Sequence, residues 1–317
     1  MSAFGLDAPV PTAPVPTVAT VPALPGVAPV LAKARQENFP VALWFLPARV
    51  RARLLAVYGF ARLVDDVGDE GAGTGAAARL ARLDWLDWLE QDLERAATGS
   101  AVHPLLQRLT PLLVDLGLPL DPFRRLIEAS RRDQQVRRYR TFDDLQAYCR
   151  LSATPVGELV LGIFEVSTVE RVAWSDDICT ALQLLEHLQD VGEDAGRGRV
   201  YLPAEDLARF GCPESDLDAP TASRALREVV AFETDRSRHL LRQATALAGS
   251  LPFLPRLAVA GFAAGGLATV DALVEADYEV LGETRRPARG RLLVHLARLS
   301  AVRSSAAKAS RARGGRR

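Results

Sequence analysis

Cysteine is scarce in this chain, with three residues among 317, at Cys149, Cys179 and Cys212. They lie far apart, and none forms a C-x-x-C pair or stands near a histidine at metal-ligand spacing. This pattern argues against a disulfide framework and a zinc site, and it predicts a reduced, cytoplasmic protein. We interpret each thiol as a small side chain that fills space in the core.

Net charge is also lacking, because 39 basic residues balance 39 acidic ones. A balanced chain has no overall field that would attract nucleic acid. Uninterrupted apolar runs of 18 residues are missing too, and the nearest candidate, 251–274, contains Pro252, Pro255 and Arg256. We therefore predict no transmembrane span and interpret this segment as a buried helix or helix pair.

Neither end of the chain has the composition of a folded segment. The N-terminus lacks the basic start of a signal peptide, and prolines from Pro9 to Pro29 interrupt it, so residues 1–30 are predicted to form a flexible tail. Residues 303–317 are basic and contain no acid. They predict either a solvated disordered tail or weak peripheral attraction to the anionic inner face of a membrane, which would suit a lipophilic substrate.

Strand-like alternation is essentially missing between the tails, and helical segments with a period near 3.6 follow one another instead. The predicted helices cover residues 48–70, 76–98, 103–117, 121–138, 141–165, 170–194, 204–209, 221–249, 253–280 and 288–301. Thr141 and Ser223 are predicted N-caps. Since no internal repeat or linker divides them, these helices predict one all-α domain over residues 31–302, long enough to bury a substantial core.

Acidic side chains occur in two segments that share one helical spacing. In the first acid ladder, steps of three or four residues connect Tyr58, Arg62, Asp65 or Asp66, and Asp69. In the second acid ladder, the same steps connect Gln183, Glu186, Asp190 and Asp194. On an α-helix such spacing places side chains on one face. Two ladders that face each other would form an oxygen-lined site for hard cations.

The first acid ladder lies on a helix that is apolar around most of its circumference, so we expect it to be buried. Adjacent buried carboxylates repel one another and lose hydration unless cations lie between them. Mg²⁺ prefers carboxylates together with water and phosphate oxygens, which makes a diphosphate its natural partner. The alternative is that residues 65–70 are only the solvated end of a helix. The matching second ladder favours the metal site.

Three further segments have two interpretations each. Arg199 follows the second ladder and can bind a diphosphate through its planar fork, or it can satisfy carbonyls at a helix end. Pro155 interrupts a helical segment rich in small residues, which predicts either an ordinary bend or extra space for a long apolar ligand. Gly196 and Gly198 follow a helix and lack the spacing of a nucleotide-binding loop, so we reject that interpretation.

Taken together, these motifs resemble the squalene/phytoene synthase family over roughly residues 35–300. The motifs are Tyr58-x3-Arg62-x2-Asp65-Asp66-x2-Asp69, Tyr148-Cys149 with Pro155-Val156-Gly157, and Gln183-x6-Asp190-x3-Asp194 with Gly198-Arg199-x-Tyr201-Leu202-Pro203. The resemblance implies a class I isoprenoid synthase helical fold with a Mg²⁺–diphosphate cluster at the mouth of a central hydrophobic cavity. The segments 37–42 and 185–190 look most like the bacterial hydroxysqualene synthase branch of squalene and hopanoid biosynthesis.

The same resemblance assigns roles to individual residues. The implied metal ligands are Asp65, Asp66, Asp69, Asp190 and Asp194, for Mg²⁺ or Mn²⁺. The implied substrate-binding residues are Asn38, Phe39, Arg62, Gln183, Arg199 and Tyr278. The implied catalytic residues are Tyr58, Tyr148, Glu186 and His187. Glu186 departs from the family pattern, in which many members have asparagine, and His187 could instead be a packing residue.

The implied reaction is conversion of presqualene diphosphate and water into hydroxysqualene, with release of diphosphate. No nicotinamide-binding motif is visible, so we expect no NADPH requirement. The alternatives are head-to-head condensation of two prenyl diphosphates, as in presqualene diphosphate or phytoene-type synthases, and, more remotely, a non-catalytic helical scaffold.

Overall fold

The structure is a computed structural model that describes residues 24–35, 46–69, 75–282 and 287–302. In these ranges the chain forms α-helices joined by short turns, with no strand beyond one isolated bridge between Arg138 and Val200. The helices are α1 (Val27–Ala32), α2 (Ala48–Asp69), α3 (Ala76–Ala97), α4 (Pro104–Gln107), α5 (Asp121–Asp133), α6 (Phe142–Ser152), α7 (Thr154–Ile163), α8 (Val169–Gln189), α9 (Val191–Gly196), α10 (Ala204–Arg209), α11 (Arg224–Leu240), α12 (Gln243–Ser250), α13 (Phe253–Glu275) and α14 (Arg289–Ser300). The predicted all-α class is confirmed.

Helix ends follow local chemistry that the sequence predicted. Thr141 caps α6 by accepting a hydrogen bond from the backbone N–H of Asp144, whose carboxylate accepts one from the Thr141 N–H. The hydroxyl of Ser223 caps α11 in a similar way. The break predicted at Pro155 is confirmed, because α6 ends at Ser152 and Pro155 lies in the first turn of α7, where its missing N–H costs no helical hydrogen bond.

Two apolar clusters form most of the core. The first joins α2, α3, α4, α5 and α7, and the second joins α8, α11, α12 and α13. Helix α7 packs against both α2 and α8, so it links the two halves. The two helices that carry the acid ladders therefore lie in different halves of one folded unit.

Several predicted helix boundaries need correction. The helix predicted over 221–249 is two helices, α11 and α12, and only Pro104–Gln107 of the segment predicted over 103–117 is α-helical. The predicted tail at residues 1–30 overlaps α1, where Val30 is fully buried and Leu31 packs on the first cluster. Tertiary packing on α2 orders this six-residue helix, which is too short to be stable alone. The helix predicted over 170–194 is broken at Asp190, whose backbone leaves the helical region (φ −106°, ψ 12°) before α9 begins. Residues 303–317 lie outside the described residues.

Helix α13 is the described helix that is long and apolar enough to cross a membrane by length and composition. In its most apolar 18-residue stretch, 72% is buried inside the protein. It packs against α8, α11, α12 and α14. These contacts agree with the predicted role of this segment as a buried core helix.

Candidate active site

The first acid ladder splits between two environments on α2. Asp66 is buried, with 3% of its side chain exposed, and its Oδ1 lies 2.8 Å from both Lys33 Nζ and Arg62 Nε. Asp65 and Asp69 are one helical turn apart and lie on a neighbouring stripe. Arg62 Nη1 lies 3.3 Å from Asp65 Oδ2. Asp66 thus pairs with two cationic side chains and is buried, whereas Asp65 is more exposed and contacts Arg62 at a longer distance.

Asp65 lies in a concave part of the surface. Its side chain is 55% exposed to solvent. Even so, the surrounding protein and then the charge of Asp69 raise its pKa to about 7, although Arg62 acts in the opposite direction. Asp65 is thus reached by water on one side and surrounded by protein atoms on the other. A cation bound there would relieve its repulsion with Asp69.

The second acid ladder runs from α8 across the break into α9. Gln183 Nε2 lies 3.4 Å from Glu186 Oε2 and 3.4 Å from His187 Nε2. Burial, followed by repulsion from Asp190, raises the pKa of Asp194 to about 7, and burial together with Glu193 raises the pKa of Asp190. The second ladder therefore also brings carboxylates close to one another, with Asp194 half-buried and Asp190 and Glu186 exposed to solvent.

Arg199 connects the two ladders. Its Nη1 donates a hydrogen bond of 2.6 Å to Asp69 Oδ1 on α2. Its charge also opposes the raised pKa of Asp194, and Asp69 contributes to that rise, so all three groups lie within electrostatic range. Arg197 lies on the same side, with Nη1 3.9 Å from Asp69 Oδ2. In this structure Arg199 thus pairs with a carboxylate, and the two ladders share one cleft.

Aromatic side chains around a half-buried carboxylate form the wall beside Arg199. Asp133, at the end of α5, accepts hydrogen bonds from the Tyr148 hydroxyl at 2.7 Å and the Tyr201 hydroxyl at 3.1 Å. Tyr139 stacks on Tyr201, with ring centroids 5.7 Å apart. Burial raises the pKa of Asp133 to about 6, although the two hydroxyls and Arg199 lower it.

His187 belongs to this aromatic wall. Its ring stacks on Tyr201 with centroids 3.8 Å apart and planes 7° apart. Its Nδ1 lies 3.9 Å from Asp194 Oδ2. Burial, followed by the charge of Arg199, lowers the pKa of His187 to about 3, so the ring is neutral at pH 7. His187 therefore both packs in the wall and faces the second ladder.

A cavity of about 230 Å³ lies between α7, α8 and α13. Val156, Leu182 and Phe262 are among its apolar lining residues, whereas Gln183 and Glu186 line it at the second ladder. The bend at Pro155 contributes directly, because the residues on both sides of it line the cavity. These residues are Ser152, Ala153, Val156 and Gly157.

The other predicted site residues have different positions. Tyr58 is half-buried on α2, one turn before Arg62. Tyr278 packs at the edge of the second apolar cluster and does not line the described cavity. The segment after α13 nevertheless approaches the second ladder, because a Cβ at Gly192 would lie 3.5 Å from Leu281. Asn38 and Phe39 lie outside the described residues.

Two functional residues escaped the sequence analysis. Asp133 stands in a run of charged residues at a helix end, which gives no sign that it is buried. Lys33 lies in the short segment after α1, 33 residues before its partner Asp66. The aromatic partners of Asp133 lie 15 and 68 residues away in sequence. Only tertiary structure brings these groups together.

The donor set fits magnesium held jointly with a diphosphate. Among the described residues, no three acidic, histidine or cysteine side chains converge as a complete protein cage. Magnesium in phosphate sites needs only one or two carboxylates, because water and phosphate oxygens complete its coordination. Asp65 with Asp69, and Asp190 with Asp194, supply such pairs. Beside burial, repulsion within each pair contributes to the raised pKa values of Asp65 and Asp194.

Comparisons with known proteins agree on one family. The squalene/phytoene synthase family model matches residues 32–296. The chain is 37% identical to a hydroxysqualene synthase of Rhodopseudomonas palustris, over 68% of this chain and 72% of the relative. It is 35% identical to the Zymomonas mobilis hydroxysqualene synthase, over 68% and 71% of the two chains. It is 33% identical to a phytoene synthase of Arthrospira platensis, over 64% and 68%.

Solved structures show the same similarity. Squalene synthase HpnC from Alicyclobacillus acidocaldarius is 41% identical, with a TM-score of 0.69 over 78% of this chain and 92% of that one. A dehydrosqualene synthase solved with a ligand has a TM-score of 0.73 over 86% and 94% of the two chains. At 23% identity, this second likeness supports the fold alone.

Proposed function

This chain belongs to the squalene/phytoene synthase family and is an enzyme that uses prenyl diphosphates, and from that premise we propose that it converts presqualene diphosphate and water into hydroxysqualene, releasing diphosphate. The observation that supports this proposal is the shared cleft. Arg199 pairs with Asp69 of the first ladder there and lies within electrostatic range of Asp194 in the second, and Gln183 and Glu186 of the second ladder line an apolar cavity. A ligand with a diphosphate head and long hydrocarbon tails matches both parts.

In the proposed reaction, the C–O bond to diphosphate breaks and leaves a cyclopropylcarbinyl cation. The cation rearranges, water adds to it, and a proton is lost to give the alcohol. We assign Arg62 and Arg199 to bind the leaving diphosphate oxygens, which the planar guanidinium of Arg199 can do bidentately. Bound magnesium, held by the pairs Asp65–Asp69 and Asp190–Asp194, would add electrostatic stabilisation of the leaving group.

The aromatic wall suits the cationic stage of this reaction. Tyr148 and Tyr201 present electron-rich rings, and Asp133 fixes both hydroxyls so that the rings cannot rotate away. A neutral His187 adds no competing positive charge. Gln183 and Glu186 line the cavity with oxygen and nitrogen atoms, so we assign them to orient the attacking water.

The family also supports a second reaction at the same site. Head-to-head condensation of two prenyl diphosphates would use the same carboxylates and arginines, and the phytoene synthase relative favours it. The two hydroxysqualene synthase relatives and the 41% identity to squalene synthase HpnC favour the first proposal. The non-catalytic scaffold is set aside, since the family assignment indicates an enzyme and both carboxylate pairs are present.

Product analysis separates the two reactions. Purified protein is incubated with farnesyl diphosphate alone or with presqualene diphosphate alone, each with Mg²⁺ or excess chelator and with or without NADPH. We expect hydroxysqualene from presqualene diphosphate only, requiring Mg²⁺ and unaffected by NADPH. If the protein turned over farnesyl diphosphate but not presqualene diphosphate, the hydroxysqualene assignment would be excluded and the condensation favoured.

Two variants test whether the cleft performs the reaction. Asp65→Ala and Asp190→Ala remove one carboxylate from each pair, and we expect each to abolish most diphosphate release. Circular dichroism should show unchanged folding. Full activity in both variants would contradict the location of the site.

The proposal places the enzyme in the cytoplasm, in agreement with the reduced cysteines expected from the sequence.

A further inference from the structure

Helix α9, which carries the end of the second acid ladder, is too short to hold its own position. It has six residues and follows the break at Asp190. An isolated helix of fewer than about 12–15 residues is marginal in water. The position of Asp194 in the cleft therefore depends on the segments that pack on α9.

Two segments outside the cleft pack on α9. The first is residues 277–282, which follow α13. A Cβ at Gly192, between the two aspartates of the ladder, would lie 3.5 Å from Leu281 Cδ2 and 3.7 Å from Leu281 Cα. The backbone of this segment therefore lies directly against the first turn of α9. The second is the 3₁₀ helix Glu214–Asp218, which also contacts α9.

Residues 277–282 begin with a strained turn. Asp277 and Tyr278 have φ angles of 51° and 57°. Residues with a side chain rarely adopt this left-handed conformation, and here two of them are consecutive. Such a backbone persists only where the surrounding contacts determine it. Arg227 on α11 supplies two of these contacts, because its Nη1 donates to both the carbonyl and the Oδ2 of Asp277.

The carboxylate of Glu279 joins the two segments that pack on α9. It accepts hydrogen bonds of 3.0 Å from the N–H of Leu281 and from the N–H of Ala222, which follows the 3₁₀ helix. Arg227 Nη2 donates to Glu279 Oε2 at 2.6 Å. Burial acts to raise the pKa of Glu279, but these N–H groups and Arg227 outweigh it and lower the pKa. One ion pair thus fixes both neighbours of α9.

We propose that Arg227 and Glu279 are positioning residues for the second carboxylate pair. They hold α9 so that Asp190 and Asp194 keep their place opposite the first ladder. Neither is among the residues that line the described cavity, so they act through the packing of 277–282 on α9. This inference rests on the proposed function, in which Asp190 and Asp194 hold magnesium together with diphosphate.

Magnesium titration tests the inference on the full-length protein. The Tm is followed at a fixed diphosphate concentration while Mg²⁺ is raised. In Arg227→Gln and Glu279→Ala, we expect the Mg²⁺ concentration for half-maximal stabilisation to rise about tenfold, the loss typical of a displaced metal ligand. Turnover of presqualene diphosphate by both variants should recover in excess Mg²⁺, which lower stability alone would not produce.

Arg171 provides the matched control. It donates hydrogen bonds to the Ser250 hydroxyl and to the carbonyls of Val166 and Ser250, so it joins chain segments as Arg227 does. It lies at the opposite end of α8 from the second ladder. Arg171→Gln should lower Tm without changing the Mg²⁺ requirement. Arg227→Lys keeps the charge beside Glu279, so we expect an intermediate Mg²⁺ requirement, and it replaces Arg227→Gln if that variant does not fold.

Hydrogen exchange of the ligand-free protein measures the position of α9 without magnesium. Local opening exposes backbone amides to exchange. We expect the amides of α9 to exchange faster in Arg227→Gln and Glu279→Ala than in the parent, and at the parent's rate in Arg171→Gln.

The outcomes separate this inference from the proposed function. If Mg²⁺ and diphosphate did not stabilise the parent protein, the proposed function and the inference would both be overturned. If they stabilised the parent and the Arg227 and Glu279 variants kept its Mg²⁺ requirement, only the inference would be overturned. Unchanged exchange of α9 in these variants, or an equal rise in Mg²⁺ requirement in Arg171→Gln, would also overturn the inference alone.

Discussion

Two tyrosines in the same aromatic wall differ in one respect. The Tyr148 hydroxyl donates a hydrogen bond to Asp133, whereas the Tyr139 hydroxyl is buried without a hydrogen-bond partner among the described residues. The rings lie 5.5 Å apart, so both contribute aromatic packing. Removing each hydroxyl in turn therefore separates the effect of the hydrogen bond from the effect of aromatic packing.

We predict opposite outcomes for Tyr148→Phe and Tyr139→Phe. Loss of the Tyr148 hydroxyl leaves a buried carboxylate with one hydrogen bond fewer, which should cost about 1.5–3 kcal/mol of unfolding free energy and lower kcat about tenfold or more. Tyr139→Phe should be neutral or slightly stabilising. Urea unfolding and steady-state kinetics with presqualene diphosphate measure both. Equal effects of the two substitutions would mean that Asp133 does not position the wall.

Residues with a local signature were predictable from sequence, and residues without one were not. Helical spacing predicted that Asp65 and Asp69 lie one turn apart on α2, and the proximity of Asp69 to Arg199 in the structure agrees with the predicted approach of the two ladders, while the roles of these residues stay predictions. Asp133 has no such signature, since its role depends on two tyrosines from other segments. The pairing of Asp66 with Lys33 was equally invisible, because spacing gives the face of a helix but not the neighbour it meets.

At the scale of helices, periodicity located most segments, although it missed the interruptions within 103–117 and 221–249. Two other differences have physical causes. Helix α1 is ordered by burial of Val30 against α2. The break at Asp190 occurs within an otherwise helical pattern. It separates α8 from α9, where Asp194 N–H still bonds to the Asp190 carbonyl at 2.8 Å. Pro29 lies within α1 and, with the other prolines before it, favoured the prediction of a tail, whereas no proline or glycine stands at Asp190 itself.

The contact between α7 and α8 depends on Gly157. A Cβ there would lie 2.2 Å from Ser175 Oγ and 2.7 Å from Cys179 Sγ. We predict that Gly157→Ala pushes the helices apart, costs about 1–3 kcal/mol and lowers activity, since all three residues line the cavity. The double variant Gly157→Ala with Ser175→Ala should recover part of the lost stability and part of the lost activity.

Gly196→Ala provides the control for this substitution, because a Cβ at that position of α9 would have no atom within 4 Å. We expect its thermal unfolding to match that of the parent protein. If Gly157→Ala were as stable as Gly196→Ala, the close approach of α7 and α8 would not limit the cavity.

At the scale of the whole molecule, a buried carboxyl group outside the cleft makes stability depend on pH. Glu233 on α11 is buried and pairs with Arg236, which also lies 3.0 Å from Asp206. Burial, followed by a hydrogen bond with Asp206, raises the pKa of Glu233 to about 8 from 4.5. The folded chain therefore keeps a proton that the unfolded chain loses above about pH 4.5.

The sign of the pH effect follows from this difference. The contribution of Glu233 to stability is fully present below about pH 4.5 and is lost as pH rises to about 8. The side chain of Glu233→Gln cannot ionise. At pH 8.5 we therefore predict that the unfolding free energy of this variant, measured with urea, is higher than that of the parent by on the order of 3 kcal/mol. At pH 5 we predict that variant and parent have similar unfolding free energies. Parallel stability–pH curves for parent and variant would contradict the assignment.

The two halves of the molecule meet at the cleft, so a ligand held by both ladders should stabilise the fold as a whole. Lys33, Arg62 and Arg199 already neutralise part of the first ladder, which means that neither Mg²⁺ nor diphosphate alone should bind strongly. Mg²⁺ and diphosphate together supply positive charge for the carboxylates and negative charge for the basic side chains. A ligand that binds only the folded state at about 100 times its Kd adds about 2.7 kcal/mol.

We therefore predict that Mg²⁺ and diphosphate together raise Tm by at least about 4 °C, whereas each alone changes it little. Differential scanning calorimetry measures this effect without any turnover. Asp65→Ala and Asp194→Ala should abolish the joint shift. Asp235→Ala, which removes an exposed carboxylate on α11, should retain it. A joint shift that survived in both cleft variants would mean that the ligand binds elsewhere, and the carboxylate pairs would then have no part in holding it.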